Sequence, residues 1–196
     1  LTLLGERAVQ AKYELQRMTT EKKNEVLEAV AEALIQNTEY LLLENHKDLE
    51  RGIANQMNPG LVDRLRLTKE RIAGMAEGIR QIVKLPDPVG EILDDYEAEN
   101  GLHIVKKGVP MGVIGIIYES RPNVTADAFG LCFKSGSAVI QKGGSDAIRT
   151  NMAITKVIQD AVVRRGIDPY VIQLIESTDR SVVNEFMKMK QYVDLL

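Results

Sequence analysis

A polar segment at residues 118–123, Tyr-Glu-Ser-Arg-Pro-Asn, has residue types suited to catalysis or anion binding. The side-chain amide of Asn123 could stabilise a developing oxyanion, together with N–H groups at the start of the helix that follows. It could equally be an ordinary helix cap, because Asn is among the preferred N-cap residues. Arg121 can hold a carboxylate or phosphate through two parallel hydrogen bonds, and its alternative is a surface salt bridge.

A second candidate segment is Lys142-Gly143-Gly144-Ser145, which also precedes a helical pattern. Anions bind at helix starts because free N–H groups and the helix dipole converge there. Lys142 would add a full positive charge and Ser145 a neutral donor, while the two glycines would let the backbone approach a ligand closely. The segment matches neither the Walker loop nor G-x-G-x-x-G, so an ordinary tight turn is the alternative.

The single cysteine and the two histidines are weaker candidates. Cys132 lies on the helix face that should pack on a sheet, where apolar surroundings raise the pKa of a thiol and make it inert. His46 and His103 are far apart in the sequence, and neither belongs to a motif. No residues have the spacing of metal ligands, so no metal site is predicted.

Both polar segments follow apolar runs that predict buried strands. Gly112–Tyr118 is almost entirely apolar and β-branched, which is typical of a parallel sheet covered on both faces. Val124–Ser135 has helical spacing, and Ser137–Gln141 is a second short strand. Ligands of open α/β sheets bind at the carboxyl ends of the strands, so we expect both polar segments at one edge.

The alternation of strands and helices continues to Leu196. The further predicted elements are a helix from Ser145 or Asp146 to Arg165, a strand over Tyr170–Ile175, a short helix capped by Thr178 or Asp179, and a fourth strand over Tyr192–Leu196. This order predicts a doubly wound parallel sheet with right-handed crossovers.

Residues 1–88 read as a helical array, with apolar stripes that form core. Thr20, Thr38 and Thr68 are the predicted caps of the second, third and fourth helices, and Asn58-Pro59-Gly60 is predicted to break the pattern. Residues 89–109 predict a polar β-hairpin that turns at Asn100-Gly101. Residues 110–196 then form the α/β part.

Composition excludes several classes of protein. The chain has 196 residues and a formal charge of -3, so it has no basic footprint for nucleic acid. No apolar run approaches the roughly 18 residues of a membrane helix, and no signal peptide is visible at the N-terminus. One cysteine cannot form an internal disulfide, which agrees with a reducing, cytoplasmic location.

The run from Gly108 to Asn151, which contains YESRPNVT and QKGGSDAIRTN, resembles the glutamate-5-semialdehyde dehydrogenases, also called γ-glutamyl phosphate reductases. This family belongs to the aldehyde dehydrogenase superfamily. Supporting similarity extends over NHKDLERG, QLIESTDRSVVNEF and YVDLL. The resemblance implies NADPH-dependent reduction of γ-glutamyl phosphate to glutamate 5-semialdehyde and phosphate in proline biosynthesis, by way of a cysteine thioester.

The resemblance also implies roles for individual residues. Asn123 falls at the position of the superfamily's oxyanion asparagine, and Lys142 at that of the lysine that meets the adenosine ribose. Ser145 falls where many NAD-preferring relatives have an acid, so a serine there is compatible with the 2′-phosphate of NADP. Ser120 and Arg121 are assigned to charged groups of the substrate, and Gly143 and Gly144 complete the cofactor turn.

The chain also departs from the family. The catalytic cysteine of the family lies in a later segment, Cys132 does not match its motif, and the loop expected after YVDLL is missing. We therefore expect the N-terminal, cofactor-binding part of the enzyme, truncated before the catalytic domain and inactive alone. The hairpin resembles the superfamily's subunit-bridging element, which implies a homo-oligomer. The alternative is a non-catalytic nucleotide-binding or dimerisation module with the same fold, and the reading frame beyond Leu196 would distinguish the two.

Overall fold

A computed structural model of the chain describes all residues from 1 to 196, and its N-terminal part is helical. The helices are α1 (Thr2–Leu15), α2 (Thr20–Gln36), α3 (Thr38–Ala54), α4 (Pro59–Leu65) and α5 (Lys69–Lys84). Helix α2 packs against α5, and the buried sides of α1, α2 and α5 belong to the same core as the sheet described below. The predicted apolar stripes are therefore core.

Two of the three caps predicted for the N-terminal helices are wrong. Thr19 caps α2, because its hydroxyl accepts the N–H of Lys22, whereas the Thr20 hydroxyl donates to the carboxylate of Asp87 at 2.8 Å. The cap position of α3 is Asn37 rather than Thr38, and no side chain caps this helix. In both cases adjacent polar residues compete for the cap, and contacts made elsewhere decide between them.

The third predicted cap is correct, since the Thr68 hydroxyl accepts the N–H of Arg71 at 3.2 Å. The predicted break at Asn58-Pro59-Gly60 is instead the start of α4. Asn58 accepts the N–H of Gly60 with its side chain, and Pro59 occupies the first helical position, where its missing N–H costs nothing.

The hairpin consists of antiparallel strands β1 (Ile92–Glu97) and β2 (His103–Lys107). Its turn is closed by the N–H of Ala98, which donates to the carbonyl of Leu102 at 2.8 Å, and Gly101 has the positive φ that this turn requires. Every residue of β1 is exposed, so the hairpin stands apart from the core.

The sheet has three parallel strands in the order β3-β4-β5: β3 (Val113–Ile117), β4 (Ala138–Lys142) and β5 (Ile172–Leu174). The remaining helices are α6 (Asn123–Lys134), α7 (Ile148–Val163) and α8 (Ser181–Met187). All residues of the central strand β4 are buried, as expected for a parallel sheet between helices. The predicted α/β class is confirmed. None of the helices has the length and apolar composition needed to span a bilayer.

The predicted fourth strand, Tyr192–Leu196, is wrong except for one parallel bridge between Leu195 and Ile114. The N–H groups of Tyr192 and Val193 both donate to the carbonyl of Met189 in a turn after α8. They are therefore not free to pair with β3, and only the backbone beyond them reaches that strand.

Candidate functional site

Two clefts meet at the carboxyl ends of β3 and β4. The strand-end cleft has a volume of about 410 Å³ and is lined by residues 117–121, 142–146 and 178–180, among others. The arginine cleft has a volume of about 520 Å³ and lies between α4, α5 and the start of α6. Arg64 and Arg121 line both clefts, so one positively charged boundary separates them.

The structure brings the sequence-predicted site residues to these two clefts. Those that line the strand-end cleft are Ser120, Arg121, Lys142, Gly143, Gly144 and Ser145. Asn123 lies in the arginine cleft, where Arg121 is also found. Both polar segments therefore lie at one edge of the sheet, as expected from the parallel strands.

Lys142, the last residue of β4, is only 6% exposed. Its ammonium group donates to the carbonyl of Gly143 at 2.8 Å and forms no ion pair with a carboxylate. Burial lowers the pKa of Lys142 below its ordinary value. A buried ammonium with donors left over and no acid partner is suited to a ligand that brings hydroxyl or phosphate oxygens into the cleft.

The two glycines after Lys142 are required by contacts within the chain. A Cβ at Gly143 would lie 2.3 Å from the side-chain nitrogen of Asn151, and one at Gly144 would lie 2.3 Å from the hydroxyl oxygen of Ser120. These positions were expected to let a ligand approach the backbone. The side of each glycine where a Cβ would stand is instead filled by protein atoms, so the turn is packed against residue 120.

The helix predicted to start at Ser145 or Asp146 begins as a 3-10 turn over Ser145–Ala147, and α7 itself starts at Ile148. This helix has no capping side chain of its own at Ala147. The carboxylate of Asp48, which is completely buried, accepts the N–H of Thr150 at 2.8 Å and that of Arg149 at 3.4 Å. The N–H groups of Arg149 and Thr150 are therefore not available to an anion in the strand-end cleft.

Asn123 begins α6 but does not cap it. The N-cap position is Pro122, and the amide of Asn123 donates to the carboxylate of Asp127 at 3.0 Å, one turn further along the helix. Burial raises the pKa of Asp127. One amide hydrogen of Asn123 is used in this bond, which leaves the other for a partner in the arginine cleft.

Arg121 and Ser120 are held only weakly by the rest of the chain. The guanidinium of Arg121 is 3.9 Å from the carboxylate of Glu119, which is long for a salt bridge, and both side chains are exposed. The hydroxyl of Ser120 is 3.4 Å from the carboxylate of Asp146. An exposed pair of this kind contributes little, so Arg121 remains available for an anion in either cleft.

Tyr118 lines the strand-end cleft but has a structural role. Its hydroxyl lies 2.7 Å from that of Thr125 and 3.2 Å from the side-chain oxygen of Gln141. Burial raises the pKa of Tyr118 to about 12, so its hydroxyl stays neutral and unsuited to proton transfer. Cys132 is buried, as predicted, and burial raises the pKa of its thiol to about 12, which disfavours the reactive thiolate.

The sequence analysis missed two arginines of these clefts, Arg64 and Arg180. Arg180 follows the end of β5 and could have been found, because the rule that placed the other polar segments applies to that strand too. Arg64 lies on α4, a helix that the sequence analysis did not predict and that begins at the predicted break. No local signal connects it to the sheet. Neither arginine forms an ion pair within the chain, unlike Arg71, which is bound to Asp63.

Comparison with known proteins gives three results. Residues 4–195 match the model of the aldehyde dehydrogenase family. The chain is 47% identical over all of its 196 residues to a γ-glutamyl phosphate reductase of Clostridium botulinum, and 52% identical to that of Lachnospira eligens. Each alignment covers 47% of the relative, so the chain spans about half the length of the curated relatives it matches.

Solved structures are similar to nearly the whole chain. The γ-glutamyl phosphate reductase of Thermotoga maritima matches with a TM-score of 0.96 and 38% identity, over 98% of this chain and 46% of that one. A probable aldehyde dehydrogenase of Listeria monocytogenes matches with a TM-score of 0.76 and 17% identity, over 99% of this chain and 40% of that one. The second likeness shows the fold alone.

Proposed function

The chain belongs to the aldehyde dehydrogenase family, and we propose that it forms the cofactor side of a γ-glutamyl phosphate reductase. The reaction is the NADPH-dependent reduction of γ-glutamyl phosphate to glutamate 5-semialdehyde and phosphate, a step of proline biosynthesis. The observation that carries the proposal is Lys142, a buried lysine without an acid partner in a cleft that adjoins Asn123.

The strand-end cleft fits a dinucleotide that carries an extra phosphate. Its lining includes four basic side chains, Arg64, Arg121, Lys142 and Arg180, and three acidic ones, Glu119, Asp146 and Asp179. Asp179 already accepts the N–H of Ser181 at 2.8 Å, and this backbone bond lowers its pKa. Arg180 lines this cleft and forms no ion pair within the chain, and Ser145 adds no negative charge, so the cleft favours NADPH over NADH.

When bound, NADPH supplies the hydride, and the residues of this chain hold and orient it. Lys142 donates to ribose hydroxyls or to a phosphate from the floor of the cleft. Arg180, an exposed guanidinium without an ion pair in the chain, would bind the 2′-phosphate. Tyr118, held by Thr125 and Gln141, keeps the end of β3 rigid beneath the cofactor.

In this proposal the acyl group of the substrate lies beside the arginine cleft. Asn123 donates its remaining amide hydrogen to the acyl oxygen as this atom becomes negatively charged, which stabilises the transition state more than the ground state. Arg121 and Arg64 bind the phosphate or the carboxylate of the substrate, and Ser120 is a further donor at the same edge. Neither cleft is lined by a cysteine, so we assign no nucleophilic role to Cys132.

We also propose that the hairpin of β1 and β2 contacts a second subunit. Apolar side chains are exposed on both strands and at the turn: Ile92, Leu93, Tyr96, Leu102 and Ile104. An exposed apolar group of this size commonly marks an interface. The division into residues 1–88, 89–109 and 110–196 then corresponds to a helical layer, an intersubunit hairpin and the α/β part of the cofactor-binding domain.

The test uses the reverse reaction in the full-length protein that carries this chain. We expect formation of NADPH from glutamate 5-semialdehyde that depends on added phosphate, and no turnover by the 196 residues alone. A protein that binds NADPH but shows no phosphate-dependent turnover at full length would instead be a non-catalytic binding module. Turnover by the isolated 196 residues would contradict the assignment of the nucleophile to another segment.

A further inference from the structure

Helix α3 presents two charged residues, Asp48 and Arg51, to the turn that follows β4. Asp48 is completely buried and Arg51 is 41% exposed, and their side chains are joined by a bond of 2.9 Å. They lie about 100 positions before the turn in the sequence, and neither lines the strand-end cleft. They nevertheless make five hydrogen bonds with residues 145–150, between the turn and the first residues of α7.

Asp48 takes the place of the missing cap of α7. One carboxylate oxygen accepts both the N–H of Thr150 at 2.8 Å and its hydroxyl at 2.7 Å. The other oxygen is 3.4 Å from the N–H of Arg149 and also accepts from Arg51. A carboxylate at a helix start is stabilised by the dipole and by the free N–H groups, so Asp48 holds the first turn of α7 against α3.

Arg51 fixes the backbone just before that helix. A single nitrogen, Nη2, donates to the carbonyl of Ser145 at 2.8 Å and to that of Asp146 at 3.0 Å, in addition to Asp48. These carbonyls belong to the segment that begins with Lys142 and lines the cleft. Arg51 therefore holds the outer side of the turn, while Ser120 is packed against Gly144 on its inner side.

We infer that Asp48 and Arg51 are positioning residues that set the affinity of the strand-end cleft for its nucleotide. The inference rests on the proposed function, because it deepens the assignment of that cleft to NADPH. The pair occupies the first turn of α7 and fixes Ser145 and Asp146, so that the ligand meets the end of this turn in one preset arrangement. Preorganisation of this kind lowers the cost of binding without any contact between the pair and the ligand.

The test compares variants of the full-length protein by equilibrium binding of NADPH, followed by nucleotide fluorescence. We expect Arg51→Met to raise Kd and KM for NADPH about tenfold, less than the ~10²-fold cost of a 1 Å misplacement in a reacting group. The kcat at saturating NADPH should change less than twofold. Arg51→Lys should recover most of the affinity, because one ammonium nitrogen can replace the single guanidinium nitrogen that makes all three bonds.

Arg80→Met is the matched control. It also removes one ion pair, between Arg80 and Glu28 at 2.7 Å, and Arg80 lies outside both clefts. If Arg51 has only a structural role, Arg51→Met should have a lower melting temperature than the wild type. Its Kd for NADPH, measured well below that temperature, should then stay within twofold of the wild type, as we expect for Arg80→Met. That result would overturn the inference. Asp48→Asn, which removes the charge and keeps the shape, should raise Kd at least as much as Arg51→Met.

The failure of the inference can be told apart from the failure of the proposed function. If the wild type binds NADPH and the Arg51 variants bind it equally well, only the positioning role is lost. If the wild type shows no saturable binding of NADPH, both are overturned. Because Arg51 is partly exposed, its variants are expected to fold even if Asp48→Asn does not.

Discussion

The side-chain amide of Asn123 donates to the carboxylate of Asp127, one helical turn further along α6, at 3.0 Å. This bond orients an amide that would otherwise rotate freely at the rim of the arginine cleft. We expect Asn123→Ala in the full-length enzyme to lower kcat by about 10²- to 10³-fold, the usual cost of removing one oxyanion donor. Steady-state kinetics with saturating NADPH checks this.

Asp127→Ala is the companion variant, because it removes the bond but leaves the amide. We expect a smaller loss of kcat than for Asn123→Ala, since the amide keeps its donors and loses only its orientation. Unchanged kcat in Asn123→Ala would remove this residue from the catalytic machinery.

The affinity for NADPH should depend on pH through the protonation of Lys142. Burial lowers its pKa below 10.5, and the ammonium loses its charge as pH rises through that lowered value. We therefore expect Kd for NADPH to be lowest while Lys142 is protonated and to rise at alkaline pH. In Lys142→Met the Kd should be raised at neutral pH and the alkaline rise should be absent. Titration calorimetry over a pH series checks both expectations. Identical pH profiles of Kd in the wild type and Lys142→Met would show that Lys142 does not cause the pH dependence.

Arg180 should contribute to the choice between NADPH and NADH. A hydrogen bond to a charged group contributes about 1.5–3 kcal/mol, so Arg180→Ala should weaken NADPH binding by about 10- to 100-fold. NADH lacks the 2′-phosphate, and its Kd should change little. Arg165→Ala is the control, because Arg165 pairs with Glu25 outside both clefts. If Arg180→Ala weakened the binding of NADPH and NADH equally, Arg180 would not bind the 2′-phosphate.

Gly144 should tolerate no side chain, whereas Gly74 should. A Cβ at Gly144 would lie 2.3 Å from the hydroxyl and 2.8 Å from the backbone nitrogen of Ser120, so we expect Gly144→Ala to lower the melting temperature. Nothing lies within 4 Å of a Cβ at Gly74 in the interior of α5, so Gly74→Ala should stabilise the protein by about 0.5–1 kcal/mol. Thermal unfolding of the pair measures both, and equal melting temperatures would show that the turn can move away from Ser120.

Asp194 should make stability depend on acid pH. The N–H of Val113 donates to its carboxylate at 2.8 Å and, with Lys12 at 3.0 Å, lowers the pKa of Asp194. The stabilisation is present above the unfolded pKa of about 3.9 and is lost as pH falls through the lower folded value. Asp194→Asn should therefore lower the melting temperature at pH 7, and the difference from the wild type should shrink below pH 3.9. If Asp194→Asn still had the lower melting temperature well below pH 3.9, its effect would come from a change in packing rather than from the loss of the charge.

Much of the fold could be predicted because its signals are local. The apolar runs at Val113–Ile117 and Ala138–Lys142 indicate strands, and the rule for parallel sheets then places Arg121 and Lys142 at one edge. The prediction that both strands are covered on both faces holds for β4 but not for β3, where Ile114 and Ile116 are half-buried and Ile117 is exposed. The caps were less predictable. Thr19 and Thr20 are equivalent as local signals, and the choice between them depends on Asp87, which lies 67 positions from Thr20.

The sequence by itself determined that the segments after β3 and β4 lie at the strand ends, because strand period and helix period depend only on near neighbours along the chain. Only the tertiary structure decided that Asp48 closes the start of α7 and that Arg64 stands between the two clefts. Both arrangements follow from how α3 packs against α7 and α4 packs against α3. Residues 102 positions apart meet there through the sum of many apolar contacts, and no local pattern around either residue encodes that meeting.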